Sequence, residues 1–268
     1  MPNDTHLDAL RQTYLETVEA TFDRYIAPGA AHYDAQLAFA RGRFDVGVSL
    51  WGHLRAAFDG RAVDVLDIGS GNGGVSFAFA AAAGARAFTL DVAPNGELEV
   101  LRRIVPLRSS VGDGAALPFA SGSFDVVLLL DTIEHVSRPR DVASEAMRVL
   151  RPGGVCVVTT PARARYLFRR DPHFGVPLIA LLPNEAQRFV VDRVLRRRPA
   201  YDVTHLYWSA DEIVRLFPAV AKTEVLFNRT YRPPGRFTIE WIRHPHHAAE
   251  QLRYVVRKFF FAGVMLWK

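Results

Sequence analysis

Residues Val65–Gly74 read VLDIGSGNGG: a strand-like apolar run carrying Asp67, then Gly69, Gly71, Gly73 and Gly74 within six positions. Glycine loses more conformational freedom on folding than any other residue, so such a cluster needs a tight turn, a close ligand, or both. The flanking text identifies the turn. AVDVLDIG predicts a strand and GVSFAFAAAAG a small-residue helix closed by Gly84, which puts the glycines between a strand and a helix. The alternation continues downstream. RAFTLDV reads as strand, NGELEVLRRIV as helix, and RSSVGDGAALPF as a short strand and loop. FDVVLLLDTIEHV is a long apolar strand and turn, RDVASEAMRVLRPGG a helix with a Pro-Gly-Gly stop, and GVCVVTTP a fifth strand. Apolar strands separated by helices argue for an α/β fold, a doubly wound and mostly parallel sheet covered on both faces.

Composition bounds the remainder. The 268 residues suffice for one large domain, or a domain with an appendage, and 49% hydrophobic with 23% charged residues is a soluble globular balance. The single cysteine, Cys156, excludes an internal disulfide and reads as a small core residue within GVCVVTT. The start MPNDTHLDALRQTY shows neither the basic nor the apolar region of a secretory signal. No stretch approaches the roughly 18–20 apolar residues that span a bilayer, so a cytoplasmic location is expected. Basic residues are nearly all arginine and crowd between Pro161 and Ala200 (Arg163, Arg165, Arg169, Arg170, Arg188, Arg193, Arg196, Arg197, Arg198). That segment reads either as a solvated helix surface or as a face for anionic substrates, membrane or nucleic acid.

Four regions follow. Residues 1–60 form an N-terminal helical cover, LDALRQTYLETVEATFDRYI ending at Pro28-Gly29 and a second helix from Asp34 to Phe58. Residues 61–161 are the core of alternating strands and helices. Residues 162–210 are an Arg-rich helical insertion that would cover the substrate. Residues 211–268 complete the sheet at AKTEVLFNRTY and end in a helix, with Leu252, Val255, Val256, Phe259 and Phe260 on one face.

In an open parallel sheet, ligands bind at the carboxyl ends of the strands, where strand order reverses. Gly69, Gly71 and Gly73 have the spacing G-x-G-x-G there. Such turns also serve phosphates, but Asp67 beside this one disfavours an anion and favours a cationic or zwitterionic ligand. Asp91 ends the second strand about 20 residues on, where an acid accepts both hydroxyls of a ribose. The two acids describe a nucleoside bearing a positive group.

Taken together, VLDIGSGNGG, the acid of LDV, GDGAALPFASGSFDVVLLLDTIEHV and RVLRPGGVCVVTTP resemble the class I S-adenosylmethionine-dependent methyltransferases. The similarity is nearest to the small-molecule group, methyltransferase type 11, that includes the ubiquinone-biosynthesis O-methyltransferases. It runs from about Ala62 to Pro161 and implies a seven-stranded Rossmann-like sheet and S-adenosyl-L-methionine as methyl donor. It further implies that Asp67, Gly69, Ser70, Gly71 and Gly73 hold the methionine part, and Asp91 and Val92 the ribose. Asp113, Gly114 and Ala115 would meet the adenine, with Asp131 and Thr132 lining the donor pocket. Ser70 and Asn72 stand where Cys or Thr is usual, a conservative departure.

Methyl transfer needs chiefly alignment, and a hydroxyl acceptor benefits from a general base. His135 in DTIEHV is the first candidate, followed by His173 in DPHFGVP and His205 in DVTHLYW. Asp131, Glu134 and His135 also match an acid-x-x-Glu-His stretch that holds a divalent metal in some relatives. The competing reading makes Glu134 and His135 the start of the next helix, and no metal is expected. His246 and His247 are too isolated for a metal site. The expected activity is O-methylation of a small molecule, a sugar or glycan hydroxyl by preference, with a quinone or phenol at the membrane surface as the alternative. An RNA methyltransferase or a non-catalytic binding module ranks below both, and no nucleic-acid partner is expected. The tail RYVVRKFFFAGVMLWK leaves three roles open: core helix, homodimer contact, or peripheral membrane contact.

Overall fold

The computed structural model describes residues 4–24, 26, 28–29, 33–59, 61–161, 163–166, 174, 176, 178–196, 205–208, 210–225 and 261–268. Seven strands form one sheet in the order β3-β2-β1-β4-β5-β7-β6. They are β1 (Asp64–Ile68), β2 (Arg86–Asp91), β3 (Leu107–Val111), β4 (Phe124–Leu130), β5 (Leu150–Pro161), β6 (Lys222–Val225) and β7 (Phe261–Trp267). β1 pairs in parallel with β2 and β4, and β2 with β3, while β6 and β7 are antiparallel. The expected α/β sheet is thus present, with strand order reversing beside β1.

The chain divides into two compact units: residues 1–130 with 145–156 and 268, and residues 131–144 with 157–267. In the first, α1 (Asp4–Thr21), α2 (Tyr33–Leu54), α3 (Gly74–Ala83) and α4 (Gly96–Leu101) flank the strands. Tyr14, Val18, Phe44, Phe77, Leu98 and Leu101 make one buried cluster, with Tyr14 and Phe44 stacked at 5.9 Å. The small residues of α3 let α2 approach closely: a Cβ on Gly47 would stand 2.6 Å from that of Ala78. α5 (Pro139–Val149) stops before the Pro-Gly-Gly triplet, which belongs to β5 instead.

The amino ends of the strands carry an ionic lattice. Arg86 grips Asp64 with two hydrogen bonds (2.6 and 2.8 Å), and Arg151 bridges Asp64 (2.9 Å) and Asp125 (2.7 Å). Arg61 and the Asp64 amide complete Asp125, each at 2.9 Å. Burial pushes the Asp125 carboxyl up, but these hydrogen bonds outweigh it and hold it below the usual range. Both carboxylates there are taken up by arginines, so this end of the sheet is structural. The chemistry is left to the other end.

The second unit contains the turn after β4 (Ile133–His135), the later half of β5, short helical turns, α6 (Asn184–Phe189) continued by a π turn (Val190–Val194), α7 (Ala210–Val214), β6 and β7. Among the described pieces of the Arg-rich segment, Arg163–Tyr166, Ile179–Leu181 and residues 184–194 are helical turns. The tail is a correction: residues 261–267 form a strand, not the end of a helix. Phe261–Trp267 is an apolar run whose Val264, Met265 and Leu266 are buried, and its backbone pairs with Lys222–Val225. A strand in a covered sheet accepts such a run on both faces. Leu252, Val255, Val256, Phe259 and Phe260 lie outside the described residues, as do His173, His246 and His247.

Candidate active site

The first unit gathers the glycine turn and its acids. Gly69, Gly71 and Gly73 have φ of 72°, 52° and 74°, so each spaced glycine occupies the left-handed region that side chains avoid. Gly69 donates to the Leu90 carbonyl (2.8 Å) and Gly73 to that of Ser70 (2.9 Å), curling the turn over the ends of β1 and β2. Gly71 donates to Oδ2 of Asp91 (2.9 Å), whose Oδ1 accepts from the Val92 amide (2.7 Å). The Asp91 carbonyl in turn accepts from Gly112 (2.9 Å), which brings the Asp113 turn alongside. There Asp113 caps the Ala115 amide through Oδ1 (2.8 Å), with Gly114 between them.

Asp67 lies beneath the turn, 1% exposed, and accepts from Ser76 Oγ at 2.6 Å. Burial lifts its carboxyl to about 6, against the Ser76 hydrogen bond and the Arg43 charge that pull it down.

Two features here were not anticipated in the sequence. Tyr14 of α1, fully buried, donates to the Ala40 carbonyl of α2 and accepts from Asn72 Nδ2 (2.9 Å), while Asn72 Oδ1 accepts from the Gly74 amide (3.1 Å). The N-terminal helices therefore hold the glycine turn, and Asn72 is the residue through which they do so. Arg43 of α2 reaches the Leu130 carbonyl (3.4 Å) at the end of β4, and its charge acts on Asp67. Both residues come from helices whose sequence shows only amphipathic spacing; no local motif marks them.

The group fits a zwitterionic nucleoside. A Cβ on Gly71 would meet nothing within 4 Å, so the backbone there is open to a ligand. The Ser70 hydroxyl is buried with no hydrogen-bond partner among the described residues, an acceptor and donor awaiting one.

In the second unit, Asp131 takes φ +58°, a conformation aspartate tolerates. Its amide donates to the Thr159 carbonyl (2.8 Å), and Thr159 Oγ1 to Asp131 Oδ1 (3.3 Å). Thr132 accepts the His135 amide (2.9 Å), closing a single 3₁₀ turn; Glu134 is buried and stands 3.9 Å from His135 Nε2. Among the described residues no three His, Cys, Asp or Glu side chains are grouped to hold a metal.

The HLYW segment docks on this turn. His205 donates its amide to the Glu134 carbonyl (2.7 Å), its ring hydrogen-bonds the Val136 backbone, and Tyr207 OH donates to the Ile133 carbonyl (3.4 Å). The other ring nitrogen, Nε2, is buried with no partner among the described residues. Burial lowers the His205 pKa, so the ring is neutral with an open lone pair. Of the three candidate histidines, the structure brings His135 and His205 to one turn.

Residues 66–158 match the methyltransferase domain family. The chain carries a class I S-adenosylmethionine-dependent methyltransferase domain. Over 101 residues it is 38% identical to the ubiquinone/menaquinone biosynthesis C-methyltransferase UbiE of Roseobacter denitrificans, covering 35% of this chain and 40% of that one. Over 115 residues it is 38% identical to an uncharacterized methyltransferase of Mycobacterium avium, covering 41% and 44%. The matched stretch thus spans less than half the length of these relatives. The crystal structure of the PH0226 protein from Pyrococcus horikoshii shares the fold, with a TM-score of 0.50 at 19% identity over 80% of this chain and 94% of that one. The donor of this methyltransferase class is S-adenosylmethionine.

Proposed function

We propose that the chain transfers a methyl group from S-adenosylmethionine to a hydroxyl-bearing small molecule. The observation that carries the donor half is the Gly71–Asp91 hydrogen bond, which fixes an acid at the lip of a glycine turn. A carboxylate has about four lone-pair directions, and two remain on Asp91 for a ribose diol. Arg43 would pair with the methionine carboxylate, and Asp67 with its ammonium, which would draw the raised Asp67 pKa back down. Asp113, Gly114 and Ala115 would border the adenine, and Ser70 and Thr132 supply polar contacts.

S-adenosylmethionine supplies an already activated sulfonium methyl, so the chain contributes alignment and handling of the acceptor proton. His205 Nε2 is suited to take that proton, since its ring is neutral and oriented by Val136. His135 is the second candidate for the same role. A phenolic or quinol ring is the favoured acceptor. The relatives named as ubiquinone/menaquinone C-methyltransferases support it, and a phenol, with a pKa of roughly 10, yields its proton to histidine more readily than an aliphatic alcohol. Such a base serves transfer to oxygen directly, and transfer to ring carbon by raising the electron density of the phenolate. A sugar hydroxyl is the second reading; it rests on the post-core segments DPHFGVPLIALLP and HLYW, which lie outside the matched stretch.

The test is transfer of labelled methyl from S-adenosylmethionine to a panel of hydroquinones, phenols and nucleotide sugars, with the methylated atom located by NMR. Turnover on rings and none on sugars supports the favoured reading. Turnover on sugars alone replaces it, and donor binding without transfer to any member removes the acceptor assignment.

A further inference from the structure

The insertion has an outer surface that water should not favour. Leu178, Leu181, Phe189, Val194 and Leu195 are 51%, 59%, 62%, 63% and 41% exposed. The inward side of the same segment is already satisfied: Phe174, Ile179 and Val191 form a buried cluster, with Val176, Leu182 and Val190 packed on it. The exposed residues are therefore apolar area beyond what the segment needs for its own core. Arginines interleave with them. Among the described residues, Arg193 and Arg196 are exposed there against one exposed acid, Glu185, while Arg188 and Asp192 pair with each other at 3.1 Å.

The backbone points the same way. Leu178 has φ +61°, a left-handed conformation unfavourable for a bulky side chain, and it caps the turn Ile179–Leu181 while its own side chain faces solvent. Strain held at an exposed leucine motivates a search for function there. Further on, the Leu195 amide donates to the Val190 carbonyl (2.9 Å), an i→i+5 bond that widens the last turn beneath Phe189, Val194 and Leu195.

We propose that this face docks on an anionic bilayer surface. Exposed aliphatic and aromatic side chains would enter the boundary between headgroups and acyl chains, and the arginines would engage the lipid phosphates above it. The charge argues against a second copy of the chain as occupant, because a two-fold contact would oppose arginine to arginine. No helix of the described residues is long and apolar enough to cross a membrane, so the association is peripheral. The inference goes beyond the proposed reaction and does not depend on it.

Flotation of the full chain with phosphatidylcholine vesicles, with and without about one-third phosphatidylglycerol, tests it. Binding should be at least about tenfold tighter to the anionic vesicles and weaken as salt rises. Leu181→Ser with Phe189→Ser should lower that binding about tenfold, with S-adenosylmethionine affinity in calorimetry unchanged. Arg193→Glu with Arg196→Glu, on exposed positions that leave the core intact, should abolish the preference for anionic vesicles. The proposal is overturned if the chain floats with neither vesicle, if both variant pairs float as the parent does, or if light scattering shows a dimer that Phe189→Ser dissociates. Loss of donor binding without loss of flotation would instead count against the proposed reaction alone.

Discussion

The Gly71 amide and Oδ2 of Asp91 meet at 2.9 Å, joining the turn after β1 to the acid that ends β2. The two strands are in parallel register, with Ile68 opposite Leu90, so turn and acid are neighbours by construction. The hydrogen bond then fixes the carboxylate's direction before any ligand arrives. Preorganisation of this kind reduces the ordering cost of binding.

Asp91→Ala should therefore remove two contributions, the ribose contact and the anchor of the turn. A charge-assisted hydrogen bond is worth about 1.5–3 kcal/mol, so loss of the ribose contact alone should lower S-adenosylmethionine affinity roughly 10- to 150-fold in calorimetry. Asp91→Asn keeps one acceptor oxygen and should lose less, about tenfold. An unchanged dissociation constant in the alanine variant would sink the ribose assignment.

Asp67 makes donor binding depend on pH. Its folded carboxyl titrates at about 6, above the usual aspartate range, so between the two the folded state holds a proton that the unfolded state has released. Stability from this group is present at low pH and declines as pH rises through about 6. Asp67→Asn should raise the melting temperature at pH 7.5 and change it little at pH 4. If the methionine ammonium pairs with Asp67, donor affinity rises several-fold from pH 5 to pH 7 and the Asn variant loses that slope. A parallel slope in both proteins would remove Asp67 from the donor site.

Tyr14→Phe isolates the link between the helical cover and the glycine turn. The ring keeps its stacking on Phe44 and Phe77, while Asn72 Nδ2 loses its 2.9 Å partner and keeps only its longer bond to the Ala40 carbonyl (3.5 Å). Loss of the two hydrogen bonds of the hydroxyl should cost about 1–2 kcal/mol, a fall in melting temperature of a few degrees. S-adenosylmethionine affinity should weaken a few-fold, because the Gly74 amide is held by the same Asn72. Unaltered stability would show that the network carries no weight.

The legible part of this chain is local. G-x-G-x-G, Asp91, GDG and the alternating strands lie in a stretch of about 100 residues where motif spacing and backbone geometry are the same fact. Tyr14 and Arg43 were missed because they reach the turn from helices 58 and 87 positions away from their partners Asn72 and Leu130. The tail was misread for a different reason. In FAGVMLW apolar residues are continuous, and a continuous run fits a buried helix or a buried strand equally well. Its strand state is decided by Lys222–Val225, a partner distant in sequence. The same holds for His205, whose docking on the Glu134 turn spans 71 positions and leaves no mark in DVTHLYW.

His205 gives the sharpest test of the acceptor half. A general base contributes about 10²–10⁴ in rate, so His205→Ala should lower kcat at least about 100-fold and leave S-adenosylmethionine affinity unchanged. Added imidazole should restore part of the activity, an outcome that a purely structural histidine would not give. The pH dependence has a defined direction. Burial lowers the folded pKa below the unfolded value, so as pH falls below about 6.5 the unfolded state takes up the proton first and stability drops. As pH is lowered from 7 to 5 the parent should therefore lose kcat, and its melting temperature should fall relative to that of His205→Gln. If His205→Ala retains full kcat, the proton acceptor is His135, and His135→Ala in the same assay should then show the loss.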